Sequence, residues 1–330
     1  HLSLRRQRQM CIRDSIYTMD MHFSNKGSQN DIDGTWGDWT LQEGDENIFM
    51  KNIKQLEVIV QQVRRDIVRM VNAVSSGHPG GALGCAEFFV ALYNEVLEHN
   101  PDNFKIDGEN EDLFFLSQGH ISAVWYSVLA HSGFFPVSEL ASFRKINSRL
   151  QGHPTTHEGL PGIRIASGSL GQGLSVSIGA AQAKKLNGDD KTVYCLMGDG
   201  EQQEGQVWEA VMYAAHNKID NLIAFIDYNN AQIDGSCDAV LSLGDLAGKY
   251  RAFGWDVIEM DGNNFDSVLG QIAEAKSISG NGKPVLVLMT TIMGHGVDFM
   301  MGTNAWHGKA PSDEQTELAL AQNPETLGDY

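Results

Sequence analysis

The sequence predicts an α/β fold, with a parallel sheet flanked by helices on both faces. Short apolar runs of strand length alternate with stretches whose apolar residues recur at helical spacing. Two of these runs end in polar turns, GDG at 198–200 and DYNN at 227–230. Strands that alternate with helices form βαβ units, whose parallel sheets are covered on both faces. Ligands of such sheets bind beyond the carboxyl ends of the strands, where both turns lie.

The individual elements follow from local patterns. Residues 55–75 place apolar side chains at helical spacing and end before a glycine and a proline, Gly77 and Pro79. The small residues of 172–186 predict a helix able to pack tightly against a sheet or a ligand. Strands are predicted at 112–116, 193–198, 222–228, 255–260 and 285–291. Further helices are predicted at 84–98, 121–132, 204–217, 242–252 and 265–277, with a long loop at 150–169 and a short helix within 292–330.

The chain divides at about residue 50. Residues 1–15 begin with His and are basic, and residues 24–49 are polar and rich in Gly and Asp. Such a segment has too little apolar surface to form a core. We interpret 1–50 as a disordered or non-native extension, with the first 15 residues foreign to the protein, and 51–330 as the domain that binds ligands.

The overall charge excludes some partners. The formal net charge is −18, whereas nucleic acids and anionic membranes select basic surfaces. No apolar run reaches membrane-spanning length. The four cysteines, Cys11, Cys85, Cys195 and Cys237, form no CxxC pair, so neither a disulfide framework nor a zinc site is indicated. This composition fits a reducing cytoplasm.

Asp199 and Asn229 are the candidate ligands of a metal ion. Each follows an apolar strand, and the intervening length suits one helical crossover between neighbouring strands. Taken singly, Asp199 is typical of a helix N-cap and Asn229 of a turn. Together they offer hard oxygens, which suit a magnesium or calcium ion that bridges phosphates. A nucleotide site is less well supported, because no GxxxxGK[ST] loop exists and the glycines of 168–173 are in the wrong order for a dinucleotide motif.

Histidines and glutamates supply candidate proton-transfer groups. His78, His120, His153 and His307 all adjoin Gly or Pro on predicted loops. Loop histidines are often merely solvated, but this set suits a diphosphate or a polyhydroxylated, phosphorylated substrate. Glu204 and Glu209 lie on the helix after the GDG turn. They either complement the helix dipole or form a carboxylate network that passes protons between sites.

Several motifs resemble, in order, the N-terminal half of transketolase. They are SSGHPGGALG (75–84), LSQGH (116–120), GSLGQG (168–173), GDGEQQEGQVWEA (198–210), FIDYNNAQIDG (225–235) and TNAWHGKAP (303–311). The resemblance spans residues 55–315. GDG followed by NN is similar to the wider thiamine diphosphate motif, whereas the complete set is specific to transketolase.

The resemblance implies roles for particular residues. Asp199 and Asn229 hold Mg²⁺ through their side chains and Ala231 through its carbonyl, with Ca²⁺ or Mn²⁺ as alternative ions. Gly200 lets a phosphate approach its N–H. The implied cofactor contacts are His120, Gly168, Ser169, Leu170, Gly200, Asn229 and His307. The implied catalytic residues are His78, His153, His307 and Glu204, and Glu209 joins Glu204 in an acidic network between paired active sites.

The resemblance also implies a partner. A complete transketolase has a pyrimidine-binding domain, with the glutamate that activates the cofactor, and a C-terminal domain; neither is present. We expect this chain to act only with a C-terminal subunit, as a dimer of heterodimers that uses sugar phosphates. Two positions depart from the family pattern: Asn304 stands where a histidine is common, and Ser169 where a proline is. These departures concern the substrate more than the cofactor.

Two other functions remain open from the sequence. The alpha subunit of a 2-oxo acid dehydrogenase uses the same cofactor for decarboxylation, although the ordered GHPG, QGH, GSLGQG and WHG motifs favour transketolase. A non-catalytic homologue is the alternative of another class. Retention of both Asp199 and Asn229 argues against it, because a degenerate site has no reason to keep both.

Overall fold

The fold is built on a five-stranded sheet in which all strands are parallel. The structure is a computed structural model that describes residues 43–330, with side chains from residue 52. Numbered in chain order, the strands lie in the order β1-β2-β3-β5-β4 across the sheet. The strands are β1 (Leu113–Leu116), β2 (Val193–Gly198), β3 (Leu222–Tyr228), β4 (Asp256–Asp261) and β5 (Val285–Thr290). Every predicted strand is present within one residue at each end. The prediction of a parallel α/β sheet is therefore confirmed.

Burial along the strands explains their positions. All residues of β1 and β2 are buried, as are all but the last of β3. Because successive side chains point to opposite faces of a sheet, continuous burial means that both faces are covered. Strand β4 alternates between buried and exposed residues towards its end, in keeping with its place at the edge.

Helices precede, connect and follow these strands. They are α1 (Glu43–Ala73), α2 (Pro79–Gly84), α3 (Ala86–Ala91), α4 (Ser122–His131), α5 (Gly173–Asn187), α6 (Gly205–His216), α7 (Cys237–Leu241), α8 (Leu246–Ala252), α9 (Phe265–Ile278) and α10 (Asp313–Gln322). Leu56–Tyr330 form one compact unit. Most of the predicted extension over 1–50, including the 15 residues considered foreign and Cys11, lies outside the described residues. The boundary at residue 50 stays a prediction.

Two predicted helices differ from the structure. The helix expected at 84–98 is divided at Cys85, and Leu92–Val96 form a π-helical turn. Gly84 packs so tightly that a Cβ atom there would lie 3.0 Å from the carbonyl oxygen of Ile292. The helix expected at 242–252 begins only at Leu246, because the Asp245 side chain caps it by accepting a hydrogen bond from the N–H of Gly248.

The sheet gathers polar residues at one edge. Ser117, Asp199, Asn229 and Thr291 directly follow β1, β2, β3 and β5, so four parallel strands deliver them to the same side. Helix α5 begins beside this edge at Gly173, where a Cβ atom would lie 2.3 Å from that of Ser117.

None of the helices formed by residues 43–330 is long and apolar enough to cross a membrane. Cys85, Cys195 and Cys237 are buried free thiols.

Candidate active site

Two acidic side chains lie at the carboxyl ends of β2 and β3. Gly198 pairs with Asp227, which brings the following turns together. Asp199 accepts hydrogen bonds from the backbone N–H groups of Gly200 at 2.7 Å, Asn229 at 3.0 Å and Asn230 at 2.5 Å. Asp227 accepts from Asn229 Nδ2 at 3.0 Å, from Gln118 Nε2 at 3.3 Å and from the hydroxyl of Thr291. We call Asp199, Asp227 and Asn229 the carboxylate edge.

The carboxylate edge holds two buried acidic side chains that have no cationic partner among the described residues. Asp199 and Asp227 are buried, at 3% and 1% exposure, and neither forms a salt bridge with another described residue. Burial, followed by the nearby charge of Asp227, raises the pKa of Asp199 to about 7. Burial also raises the pKa of Asp227. A cation bound here would supply the countercharge that the described part of the chain lacks.

The donors at this edge suit a hard cation. No group of three or more His, Cys, Asp or Glu side chains among residues 52–330 is arranged to hold a metal ion. The metal ligands predicted from the sequence are of a different kind, because only one of them is an acidic side chain. They are the Asp199 carboxylate, the Asn229 side-chain oxygen and the Ala231 carbonyl. Asn229 Oδ1 already accepts a hydrogen bond from the N–H of Ala231 at 2.9 Å, so these residues lie together in one turn. Such a mixed oxygen set leaves positions for phosphate and water.

A cavity of about 420 Å³ opens beside the carboxylate edge. One wall consists of Asn229, Asn230, Ala231 and Ser236 from the segment after β3. The other consists of 291–293 and 302–304, from the loop after β5. Asn304, which departs from the family pattern, is therefore a wall residue.

Four histidines meet in one cluster. The rings of His120 and His307 stack with centroids 5.1 Å apart. His78 lies between the others, with its ring centroid 5.2 Å from that of His120, 5.8 Å from that of His307 and 6.1 Å from that of His153. We call these residues the histidine cluster. They come from four separate segments, and the fold brings together all four loop histidines singled out in the sequence.

The histidine cluster is held neutral at pH 7. Burial, followed by the neighbouring charge of His307, lowers the pKa of His78 to about 4. Burial lowers the pKa of His120 well below its ordinary value and also lowers that of His153. The pKa of His307 is lowered by burial and only partly restored by the charge of Asp227. A neutral imidazole donates one hydrogen bond and accepts another, and its unprotonated nitrogen can accept a proton.

Unpartnered polar atoms mark the space for a ligand. His78 Nδ1, His307 Nδ1, Ser167 Oγ and Gln232 Nε2 are buried and have no hydrogen-bond partner among the described residues. Buried polar groups without partners are costly, and a ligand that bonds to these four atoms would remove that cost. Gln232 lies next to Gly200, where a Cβ atom would approach it to 3.6 Å. The residues present therefore fit a polar, phosphate-bearing cofactor that spans the cluster and the edge.

The segment 168–170 lies beside the histidine cluster. Gly168 has a φ of +121°, and a Cβ atom there would lie 2.8 Å from Cδ2 of His153. A Cβ atom on Gly119 would lie 2.8 Å from the N atom of Gly168, which places this loop against the residue before His120. Ser169 is exposed and Leu170 is half-buried. The loop is thus positioned to line the ligand space.

The predicted glutamates lie elsewhere. Neither Glu204 nor Glu209 is buried, and the Glu204 side chain hydrogen-bonds to no described residue. Glu204 packs against Gly171, where a Cβ atom would approach its own Cβ to 3.0 Å. The structure does not join either glutamate to the histidine cluster within this chain. Their roles in catalysis and in an acidic network stay predictions.

Glu201 is a site residue that the sequence did not single out. Its carboxylate accepts hydrogen bonds from the N–H of Gly171 at 2.6 Å, from the N–H of Gly198 at 3.1 Å and from the hydroxyl of Ser117. Burial raises its pKa. Glu201 thereby fixes the GSLGQG loop to the GDG turn. Its place directly after GDG was visible in the sequence, but its burial depends on distant segments.

Comparisons with known proteins agree with this geometry. Residues 55–324 match the family model described as transketolase, thiamine diphosphate binding domain. The chain is 38% identical over 276 residues to an apulose-4-phosphate transketolase subunit of Phocaeicola vulgatus, covering 83% of this chain and 96% of that protein. It is 36% identical to the 6-deoxy-6-sulfo-D-fructose transketolase subunit of a Clostridium species, covering 79% of this chain and 93% of that protein.

Solved structures give the same result for the fold. Transketolase from Leishmania mexicana superposes with a TM-score of 0.76 at 30% identity, covering 83% of this chain and 42% of that one. Transketolase from Campylobacter jejuni superposes with a TM-score of 0.75 at 32% identity, covering 81% of this chain and 42% of that one. The chain thus spans less than half of these transketolases but nearly all of the relatives described as subunits. The resemblance to transketolase stated from the motifs is confirmed.

Proposed function

Since the chain belongs to the transketolase family, as a thiamine diphosphate-binding subunit of the split type, we propose that it transfers a two-carbon ketol unit from a ketose phosphate to an aldose phosphate in complex with a C-terminal subunit. The observation that carries this proposal is the closeness of the two regions: the carboxylate edge borders the cavity through Asn229, and the charge of Asp227 acts on His307 of the histidine cluster. The carboxylate edge binds a cation that is bound to phosphate, and the histidine cluster hydrogen-bonds to hydroxyl groups and accepts protons.

The carboxylate edge holds the cofactor's diphosphate. Asp199, Asn229 and the carbonyl of Ala231 bind Mg²⁺, and Gly200 admits a phosphate oxygen because it has no side chain. Gln232 Nε2, buried and unpartnered among the described residues, is a further donor to that phosphate. Asp227 does not take part as a ligand in this proposal. It orients Asn229 through their 3.0 Å hydrogen bond.

The histidine cluster acts on the sugar. Thiamine diphosphate, when bound, supplies the electron sink for cleavage of a carbon–carbon bond next to a carbonyl. His78, His153 and His307 hydrogen-bond to sugar hydroxyls and move protons between them, while His120 and His307 also contact the cofactor. The low pKa values of the cluster keep these groups neutral, so that each can donate one hydrogen bond and accept another at pH 7.

A second polypeptide completes the site. Full-length transketolases are longer than this chain, which covers 44% of the Pongo abelii enzyme. The relatives covered almost completely are named as subunits. We therefore propose a C-terminal partner that supplies the pyrimidine-binding side, in a dimer of heterodimers, with Glu204 and Glu209 facing between subunits. Buried free thiols support a reducing, cytoplasmic setting.

The substrate is a ketose that ends in an oxyanion. The named substrates of the subunit relatives are a sugar phosphate and a sulfonated sugar. Asn304 lines the cavity and replaces a histidine common in the family. An amide can hydrogen-bond to a hydroxyl but cannot exchange protons as an imidazole does. This position therefore favours a substrate range different from that of full-length transketolases.

Reconstitution tests the proposal directly. The purified chain, Mg²⁺ and thiamine diphosphate are combined with and without a C-terminal transketolase half, and ketol transfer from xylulose 5-phosphate to ribose 5-phosphate is followed. Transfer is expected only with both chains. Transfer by the single chain contradicts the need for a partner. Decarboxylation of pyruvate instead of transfer favours the 2-oxo acid dehydrogenase alternative, and absence of Mg²⁺-dependent cofactor binding favours the non-catalytic one.

A further inference from the structure

Glu201 joins three segments that meet at the carboxyl ends of β1 and β2. Its Oε1 accepts hydrogen bonds from the N–H of Gly171 at 2.6 Å and from the hydroxyl of Ser117. Its Oε2 accepts from the N–H of Gly198 at 3.1 Å. The residue is 1% exposed and forms no salt bridge with another described residue. Because donors of the chain bond both oxygens of a buried carboxylate, Glu201 acts on the surrounding backbone rather than on a ligand.

Ser117 extends this contact to the start of helix α5. Its hydroxyl donates to Glu201 and accepts a hydrogen bond from the N–H of Gly173 at 3.0 Å. The first N–H groups of a helix have no partner within the helix, so this bond satisfies one of them. Glu201 and Ser117 together therefore fix both Gly171 and the first residue of α5 to the sheet.

Loop 168–170 depends on contacts at its two ends. The backbone N–H and carbonyl groups of its three residues form no hydrogen bond with another described residue. Before the loop, the N–H of Ser167 donates to the carbonyl of Pro154 at 3.1 Å. After the loop, the N–H of Gly171 donates to Glu201. Glu201 therefore fixes one of the two points between which the loop is held.

The other oxygen of Glu201 bonds the turn that carries the proposed metal ligand. Gly198 is the last residue of β2 and directly precedes Asp199. Gln202 contacts the same glycine from another side, because its Nε2 donates to the carbonyl of Gly198 at 3.0 Å. Gln202 is itself fixed, since its Oε1 accepts from the hydroxyl of Tyr250 at 2.7 Å. The turn thus offers Glu201 a rigid point from which to position the loop.

We propose that Glu201 is a positioning residue that sets the distance between the metal-binding turn at Asp199 and loop 168–170, so that one cofactor reaches both. This inference rests on the proposed function, in which the turn holds the diphosphate and the loop contacts the cofactor. A planar carboxylate has two acceptor oxygens at a fixed separation. Bonding one to Gly171 and the other to Gly198 therefore fixes the spacing of the two glycines. Glu201 contacts neither the cofactor nor the metal ion in this proposal.

Two ligands of different length, bound to the assembled two-chain complex, provide the test. Pyrophosphate with Mg²⁺ needs only the turn, whereas thiamine diphosphate with Mg²⁺ spans the turn and the loop. Glu201→Gln keeps the shape of the side chain, but an amide accepts at only one end, so one of the two glycine N–H groups loses its partner. Calorimetry is expected to show a loss of about tenfold or more in affinity for thiamine diphosphate, and a change within about threefold for pyrophosphate.

A second variant and a control separate positioning from general stability. Ser117→Ala leaves Glu201 bonded to both glycines but removes the partner of the Gly173 N–H, so a smaller loss confined to thiamine diphosphate is expected. Asp112→Asn is the control, because Asp112 is also a buried carboxylate that accepts from two backbone N–H groups, at 3.1 and 2.8 Å. It precedes β1, at the opposite end of the sheet from the site. Asp112→Asn is expected to lower stability without changing the ratio of the two affinities.

Several outcomes overturn the inference. An equal loss of affinity for both ligands in Glu201→Gln shows a general structural role. Unchanged affinity for both shows that the spacing of turn and loop does not depend on Glu201. A change in the affinity ratio as large in Asp112→Asn as in Glu201→Gln shows that the ratio reports overall stability.

Amide hydrogen exchange separates this inference from the proposed function. It is measured on the full chain without cofactor, so it needs neither binding nor turnover. At least one of the N–H groups of Gly171 and Gly198 is expected to exchange about tenfold faster in Glu201→Gln. If the complex shows no ketol transfer, the proposed function fails. Faster exchange still supports the positioning role of Glu201, whereas unchanged exchange at both glycines contradicts it.

Discussion

The carboxylate edge and the histidine cluster differ in how completely this chain bonds their polar atoms. At the edge, Asp199 accepts three backbone hydrogen bonds, and Asp227 accepts three from side chains. In the cluster, Nδ1 of both His78 and His307 is buried without a partner among the described residues. The sheet preorganises the edge, because parallel strands fix its turns. Loops form the cluster and leave donors for the ligand. Under the proposed function, this chain therefore forms the cofactor-anchoring region by itself, whereas the histidine cluster leaves polar atoms free to bond a ligand.

The largest loss of stability is expected from a change at Glu87, whose contacts support both the carboxylate edge and the histidine cluster. Glu87 is buried and pairs with Arg64, and its Oε1 lies 3.0 Å from Nδ1 of His295. This network contacts the loop after β5 through His295. The same loop contains Thr291, at the carboxylate edge, and continues to His307 of the histidine cluster. Glu87→Ala leaves a buried arginine unpaired, so we expect a loss of about 3–5 kcal/mol in the free energy of unfolding by urea.

A surface ion pair provides the matched control for Glu87. Glu98 pairs with Lys191 at 2.6 Å, with the Glu98 side chain 64% exposed. Glu98→Ala is expected to cost no more than about 1 kcal/mol, because water screens exposed pairs. Equal losses in the two variants would mean that the buried pair gives the loop no particular support.

Removing the proposed metal ligand tests the carboxylate edge alone. Asp199→Ala is expected to weaken Mg²⁺-dependent binding of thiamine diphosphate to the assembled complex by more than about a hundredfold, because even outer-shell partners are worth roughly 10–100-fold. Calorimetry measures the affinity. Asp234→Ala is the control, since Asp234 is exposed in the segment after β3. Unchanged affinity in Asp199→Ala rules out the ligand role.

The two regions were also unequally predictable from sequence. Strands β2 and β3 match their predicted bounds because continuous apolar runs buried on both faces leave a simple pattern. Two turns after such strands must meet, so Asp199 and Asn229 were identifiable. Burial of Glu201 and Asp227 was not, since it depends on Ser117, Thr291 and other side chains delivered by separate elements.

The histidine cluster was predictable only as a set of candidates. His153 reaches it because Gly168 leaves room for its ring, a contact between residues in a loop that has no periodic pattern. Local sequence patterns specify elements, whereas loops are positioned by close packing.

A glycine substitution tests how precisely the cluster is packed. Gly168→Ala introduces a Cβ atom 2.8 Å from His153 at a φ of +121°, so both crowding and backbone strain follow. We expect about 1–3 kcal/mol of destabilisation and a fall in kcat/KM of the complex. Gly159→Ala is the control: Gly159 also has positive φ, +61°, but a Cβ atom there meets nothing within 4 Å. If both variants lose equal activity, crowding of His153 is irrelevant.

The smallest effect expected is on the pH dependence of stability, and its sign distinguishes the cluster from the edge. His78 has a pKa of about 4 in the folded chain and about 6.5 when unfolded. Between these values the unfolded state binds the proton and the folded state does not, so the free energy of unfolding decreases as pH falls from about 6.5 to 4. The lowered pKa values of His120, His153 and His307 act in the same direction.

Urea unfolding of His78→Gln across this pH range measures that contribution. The variant is expected to lose less stability on acidification than the unmodified chain, by a modest amount because His78 is only half-buried and solvent screens its charge. His157→Gln, at a histidine of the 150–169 loop outside the cluster, is expected to change the slope less. The raised pKa of Asp199 acts oppositely, favouring the folded state as pH falls from about 7 towards 4. A steeper acid loss in His78→Gln therefore contradicts the lowered pKa of His78.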